Sequence, residues 1–366
     1  MKIALIHEHL AQDGGAERVL QAFQELYPDA PTYTLVYDRK RANPSFRDRK
    51  IYTSFIQKIP LGLRHYQWFL PWMPTAVEHY DLSEYDVILS SCSAFAKGVI
   101  TRPDSIHICY CHSPTRYLWS DTYSYVQELR YPLLIKKLIP FILPRIRLWD
   151  QLAAQRVDEF IANSQSVRQR IAKYYRRSSE VIYPPVEMRN FQVSDGYDNY
   201  FLIGGRLVPY KRYDLAVHAF NQLGLPLKIF GDGPEEKRLR KIAKANIEFL
   251  GPVSEQQKAQ LMRRAKAFIY PQEEDFGITA IEAMAAGRPV IAFAKGGALD
   301  TVVENKTGIF FADQHWAALA DAVLRFKPET FDPAVIRAHA ETFNQDRFKE
   351  QIGKLVEERW RQRKHI

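Results

Sequence analysis

The sequence predicts an α/β fold of two doubly wound, parallel-sheet, Rossmann-like domains facing a central cleft. Three observations lead there. Apolar runs of strand length alternate with amphipathic segments of helix length, the pattern of parallel strands covered by helices on both faces. The alternation stops at Tyr183-Pro184-Pro185-Val186, where two prolines force an extended chain. It then restarts and runs through the second half. A chain of 366 residues is also long enough for two domains. The pattern predicts a first domain over 1–186 and a second over 187–344. A charged helix over 345–366 is expected to pack back on the first.

In chain order, Lys2–His7 reads as a buried strand. Gly15–Tyr27 reads as a helix with Val19, Leu20, Phe23 and Leu26 on one face. Strands follow at Thr32–Tyr37, Val87–Ser90, Ile106–Tyr110 and Glu159–Ala162. The polar stretch to Asp198 is the linker. Beyond it, strands at Tyr200–Gly204, Leu227–Phe230, Ile247–Leu250, Ala267–Tyr270 and Val290–Phe293 alternate with helices at Arg212–Asn221, Glu235–Lys244, Glu255–Arg263 and Ile278–Ala286. Sheets of this kind bind ligands at the carboxyl ends of their strands.

A net charge of +9 suits an anionic partner: nucleic acid, anionic lipid or a phosphorylated ligand. Three cysteines, Cys92, Cys109 and Cys111, are too few for a disulfide scaffold and point to a reducing compartment. The opening MKIALIHEHL has too short an apolar run for a signal peptide, and no run reaches the ~18 residues of a spanning helix. A cytoplasmic protein is expected.

The strongest motif is Pro271-Gln-Glu-Glu274-Asp-Phe276-Gly277-Ile278-Thr279-Ala-Ile-Glu282-Ala-Met-Ala-Ala-Gly-Arg-Pro289. Glu274 lies in the loop after a strand, and Glu282 about two turns into the next helix. The N–H groups of Gly277, Ile278 and Thr279 open that helix, which favours anions. The carboxylates can accept hydrogen bonds from sugar and ribose hydroxyls. A second motif, Gly204-Gly205-Arg206-Leu-Val-Pro-Tyr-Lys211-Arg212, places a guanidinium fork and a compact ammonium after a strand, suited to a diphosphate. A third, Gln12-Asp-Gly14-Gly15-Ala-Glu-Arg18, opens the first helix with glycines. It lacks the third glycine of the dinucleotide fingerprint, which also discounts Asp38 as a ribose ligand.

In this order and spacing the motifs resemble family four of the glycosyltransferases, over the whole chain. Ala162-Asn163-Ser164-Gln165-Ser166, Gly231-Asp232-Gly233-Pro234 and Gly251-Pro252-Val253 add to the likeness. The resemblance implies the B-type two-domain fold and sugar transfer from a nucleotide sugar with retention of configuration. No metal or cofactor is expected. It implies that Arg206 and Lys211 hold the diphosphate, Glu274 the transferred hexose and Glu282 the ribose. The amides after Phe276, with Gly14, Gly15 and Gly205, approach the donor, and Val253 lies near the base.

Cys109-Tyr-Cys111-His112-Ser113-Pro114-Thr-Arg116-Tyr117 closes a strand. Cys109, Cys111 and His112 fit a metal, a buried structural cluster, or, through the resemblance, a sugar contact in which His112 donates a hydrogen bond. This string and Thr32–Asp38 resemble a GDP-mannose-dependent mannosyltransferase branch. Arg116 is a candidate phosphate or acceptor contact. The implied acceptor is a glycan or lipid-linked saccharide, as in surface polysaccharide or glycolipid synthesis.

Residues 130–149 carry five basic residues and no acid between bulky apolar ones, and 67–73 is aromatic. Both suit peripheral contact with an anionic membrane at the inner face of the plasma membrane, or a core helix whose cations snorkel. The basic residues divide between this segment and the diphosphate-like motif. They form no stripe interleaved with stacking aromatics, which argues against nucleic acid. An epimerase would need a dinucleotide fingerprint with a Tyr-x-x-x-Lys pair. A phosphorylase of similar fold would carry pyridoxal phosphate.

Overall fold

The computed structural model describes residues 1–120, 122 and 133–363, with side chains of the last stretch described from 139 onward. The chain divides into two compact units, Met1–Tyr183 with Phe348–Ile366, and Pro184–Arg347.

The first unit is built on seven parallel strands: β1 (Ile3–His7), β2 (Thr32–Thr34), β3 (Ile51–Thr53), β4 (Val87–Cys92), β5 (Ile106–Cys111), β6 (Glu159–Ala162) and β7 (Glu180–Val181). Their order is β3-β2-β1-β4-β5-β6-β7. Side chains alternate across a strand, so Ala4 and Ile6 of β1 enter one apolar cluster while Ile3 and Leu5 enter another. Both faces are therefore covered, and this is why the strands read as continuous apolar runs.

Thr32–Tyr37 was expected as one strand, but β2 stops at Thr34. Beyond it Ser54 Oγ donates to the Leu35 carbonyl, and Tyr37 pairs as an isolated bridge with Leu10. Side-chain and loop contacts there replace the ladder.

The helix Gln345–Arg363 begins in the second unit and belongs to the first from Phe348. Its Phe348, Ile352, Leu355 and Val356 are buried in the same cluster as Phe23 and Tyr110. The Phe348 ring stacks on Phe23 at 5.9 Å and meets Tyr110 edge-on at 5.6 Å. Burying each such side chain stabilises by about 1.5–3 kcal/mol. Arg359 adds ion pairs to Glu159 at 3.3 Å and Glu180 at 2.7 Å.

The second unit holds six parallel strands: β8 (Phe201–Gly204), β9 (Leu227–Phe230), β10 (Ile247–Gly251), β11 (Phe268–Tyr270), β12 (Val290–Phe293) and β13 (Gly308–Phe311). Their order is β10-β9-β8-β11-β12-β13. Both sheets thus reverse direction beside their first strand, at β1/β4 and at β8/β11. In open α/β sheets this reversal opens the crevice where ligands sit. Residues after Pro184 run irregularly along the second unit, with Val186, Met188 and Phe191 buried.

Candidate functional site

In the second unit, the loops after β8 and β11 leave the two strands that flank the reversal. The first turns through Pro209–Lys211 and passes Arg212 in the left-handed region, φ 53°. That conformation costs a non-glycine residue about 1–2 kcal/mol. Arg212 is held there by Asp214, through two hydrogen bonds of 3.1 Å. Lys211 Nζ then lies 3.0 Å from Glu274 Oε1. The other carboxylate oxygen, Oε2, accepts from the Tyr270 hydroxyl at 2.7 Å. Glu274 is therefore gripped from both flanking strands, by an ammonium and a phenol.

Gly277 shows why this motif needs glycine. It caps the Ile278–Ala285 helix at φ 100°, and a Cβ there would lie 2.4 Å from the Tyr270 hydroxyl. The first-turn N–H groups at 277–279 lack intrahelical partners. Phe276 gives only its backbone to this edge, since its ring is buried against Phe343. Arg206 is exposed on the same loop as Lys211 and its guanidinium has no partner among the described residues. Gly205 is at φ 129°, where a Cβ would meet the Tyr213 hydroxyl at 3.3 Å and Lys211 Nζ at 3.6 Å.

Glu282 belongs to a second cluster of the same unit. It is 3% exposed and pairs at 3.0 Å with Lys258. Lys258 also pairs with Glu255 at 2.8 Å, in the helix Glu255–Arg264. Val253 is half-buried just before that helix, which Ser254 and Gln257 close with a capping box.

Sequence reasoning missed Tyr270, Lys258 and Tyr213. Tyr213 is 2% exposed with no partner for its hydroxyl, and burial pushes its pKa well up. Its only signal was an aromatic two residues past Lys211.

In the first unit, Gly14 precedes the Gly15–Leu26 helix. Its φ of −153° is ordinary extended backbone, so no special conformation requires glycine. A Cβ there would instead crowd Glu17 Oε2 at 3.1 Å. Gly15 is the first residue of the helix that carries Glu17.

Glu17 is buried, as is His7. His7 Nε2 lies 3.8 Å from Glu17 Oε1, His7 Nδ1 3.1 Å from Ser91 Oγ, and Ser91 Oγ 2.8 Å from His112 Nε2. Burial raises the Glu17 pKa, but contact with His7 outweighs it and holds the carboxyl below its ordinary value. Burial lowers His112 to about 4, so its imidazole is neutral near pH 7.

Beside this chain, Glu8 accepts from the amides of Ser93, Ala94, Phe95 and Ala96 at 2.7–3.1 Å, and from the Cys92 thiol at 3.3 Å. Burial alone would raise its pKa; the amides outweigh it and hold Glu8 ionised. The Ser93–Gly98 loop is anchored behind by Lys97. That side chain pairs with Asp150 at 2.5 Å, and Asp150 also accepts from Thr115 at 2.7 Å and Trp119 at 2.8 Å.

Cys92, Cys109 and Cys111 are buried and free. No cluster of three or more metal-ligating side chains occurs among the described residues. Arg116 starts the short helix Arg116–Trp119.

Two reversed parallel sheets, with basic and acidic side chains gathered at the carboxyl edge of the second, define a B-type glycosyltransferase fold. The family model described as Glycosyltransferase Family 4 matches residues 13–189, and the one described as Glycosyl transferases group 1 matches 187–330. The chain belongs to family four of the glycosyltransferases.

Among curated proteins, an uncharacterized glycosyltransferase of Methanocaldococcus jannaschii is 29% identical over 44% of this chain and 48% of its own length. The alpha-1,3/1,6-mannosyltransferase ALG2 of Kluyveromyces lactis is 26% identical over 88% of this chain and 75% of its own. The match therefore spans about half of the first relative. The Anabaena HepE protein, solved in complex with UDP, superposes with a TM-score of 0.72 at 18% identity, covering 98% of this chain and 100% of its own.

Proposed function

We infer that the chain transfers mannose from GDP-mannose to a glycan or lipid-linked saccharide acceptor, with retention of configuration and without a metal. The observation that carries this is the Lys211–Glu274–Tyr270 contact at the carboxyl ends of β8 and β11, beside the helix start at Gly277.

Lys211 and Glu274 form an ion pair at 3.0 Å. In this reading a diphosphate draws Lys211 toward its oxygens, with Arg206 and the 277–279 amides completing the anion site. Glu274, still held by Tyr270, then turns an oxygen to the sugar hydroxyls. Fixed cations and dipoles aimed at the departing phosphate stabilise the charge that develops as the glycosidic bond breaks. Glu282 is assigned to the ribose, His112 to the sugar and Val253 to the neighbourhood of the base. The mannosyl assignment is supported by the His112 segment and by the ALG2 likeness. Arg116 is assigned to phosphate or acceptor.

The test is a binding and hydrolysis screen over GDP-mannose, UDP-glucose, UDP-GlcNAc and UDP-galactose. The reading expects GDP-mannose to be preferred, chelator to leave turnover unchanged, and the product to keep the anomeric configuration. Failure to bind any of the four would overturn it.

The reading extends to a membrane surface. No described helix is long and apolar enough to cross a membrane. Of the basic-apolar segment, 130–132 and the side chains of 133–138 lie outside the described residues. In the remainder Phe141, Leu148 and Arg145 are exposed, whereas Arg147 donates to the Leu118 carbonyl at 2.6 Å. Trp68 and Trp72 are also exposed. Replacing Phe141 and Arg145 with glutamate is expected to weaken sedimentation with anionic liposomes; unchanged sedimentation contradicts the contact.

A further inference from the structure

The chain Glu17–His7–Ser91–His112 joins side chains of β1, β4, the Gly15–Leu26 helix and the residue just after β5, at the carboxyl edge of the first sheet. Three of its members are buried, and none of the sequence motifs accounts for their being together.

For a singly protonated His7, the hydrogen-bond capacities of the groups fix its direction. A carboxylate only accepts, a neutral imidazole has one donor and one acceptor, and a hydroxyl has a single proton to give. The Glu17 carboxylate faces Nε2 of His7 at 3.8 Å, so a singly protonated His7 carries its proton on that nitrogen. Nδ1 is then an acceptor and takes the proton of Ser91. With that proton committed, Ser91 Oγ can only accept from His112, which must carry its own proton on Nε2. His112 is half-buried, and its Nδ1 has no hydrogen-bond partner among the described residues.

We propose that Glu17, His7 and Ser91 are positioning residues that fix the tautomer of His112, leaving its Nδ1 lone pair as an acceptor for a hydroxyl of the bound sugar. This reverses the expectation that His112 donates. It rests on the proposed function for the identity of the ligand, though the tautomer itself does not. A residue behind another that sets which ring nitrogen carries hydrogen is a known way to tune an imidazole.

Nitrogen-15 long-range correlation NMR on the full-length, histidine-labelled protein at pH 8 reads the tautomer without any donor. The His112 signals are assigned by their loss in His112→Gln. The expected pattern is a protonated, pyrrole-like Nε2 and an unprotonated Nδ1. A protonated Nδ1 in the wild type overturns the proposal.

Ser91→Ala is expected to shift His112 to a mixture of tautomers and to lower kcat for donor turnover by about tenfold, the loss of roughly one good hydrogen bond. KM for the donor should change less than kcat. Ser91→Thr, which keeps the hydroxyl, should restore both tautomer and rate. An unchanged tautomer in Ser91→Ala also overturns the proposal. A wild type with the expected tautomer and no turnover of any nucleotide sugar instead sinks the functional reading, so the two failures are told apart.

Discussion

The Lys97–Asp150 pair allows a quantitative test of the first unit. Both side chains are 1% exposed, and Lys97 also donates to the Ala94 carbonyl. Burial would lower the Lys97 pKa, but Asp150 outweighs it and raises the value well above the ordinary one. Lys97→Met keeps the stem and deletes the ammonium. Asp150 is then left buried with two neutral donors, Thr115 and Trp119, and no cation. Removing one partner of a buried pair costs about 3–5 kcal/mol. At about 2–4 °C per kcal/mol for a unit of this size, the transition of the first unit should fall by about 6–20 °C. Lys97→Met combined with Asp150→Leu removes both charges and should recover most of the loss, because the pair's own desolvation penalty disappears with it. Calorimetry of the wild type, both single variants and the double variant measures the coupling. A Lys97→Met loss below about 1 kcal/mol, the scale of an exposed pair, would refute the claim that this pair is desolvated and holds the loop.

Tyr270→Phe leaves one oxygen of Glu274 without its donor. A hydrogen bond to a charged group is worth about 1.5–3 kcal/mol, so donor turnover should fall by about 10–100-fold, read by steady-state kinetics. Gly277→Ala combines a φ of 100° with a Cβ 2.4 Å from that same hydroxyl. It should cost at least about 1–2 kcal/mol in urea unfolding, with a matching loss of turnover. Glu282→Ala should raise the nucleotide Kd in calorimetric titration more than it lowers kcat. Buried His107 is pushed down to about 3 by burial. An unfolded imidazole titrates near 6.5, so stability is present above that pH and is lost as pH falls toward the folded value. Urea midpoints should therefore drop between pH 7.5 and 5, and His107→Gln should flatten that slope.

The strands flanking each reversal were legible because every residue on them is buried and most are apolar. The short edge strands were not. In β3 every residue is half-buried or exposed, and β7 has only two residues, so neither carries a periodic signal. The loop glycines and charges marked the Lys211–Glu274 site, since loop chemistry is local. The partners of those charges were hidden for a different reason. Lys258 reaches Glu282 from a neighbouring helix, and His7 meets Ser91 across 84 positions of sequence. Such pairs are created only when the sheet order is fixed. The tautomer of His112 depends on two such contacts in series, which no linear pattern encodes.

The carboxylate of Glu8 also limits where the first unit can take up negative charge. Four consecutive amides converge on it, the type of concavity that elsewhere holds a phosphate. Here the occupant is tethered to the neighbouring strand. A free anion would have to displace a counter-ion whose local concentration is set by covalent attachment rather than by the solution. The unit has, in effect, plugged its own anion socket.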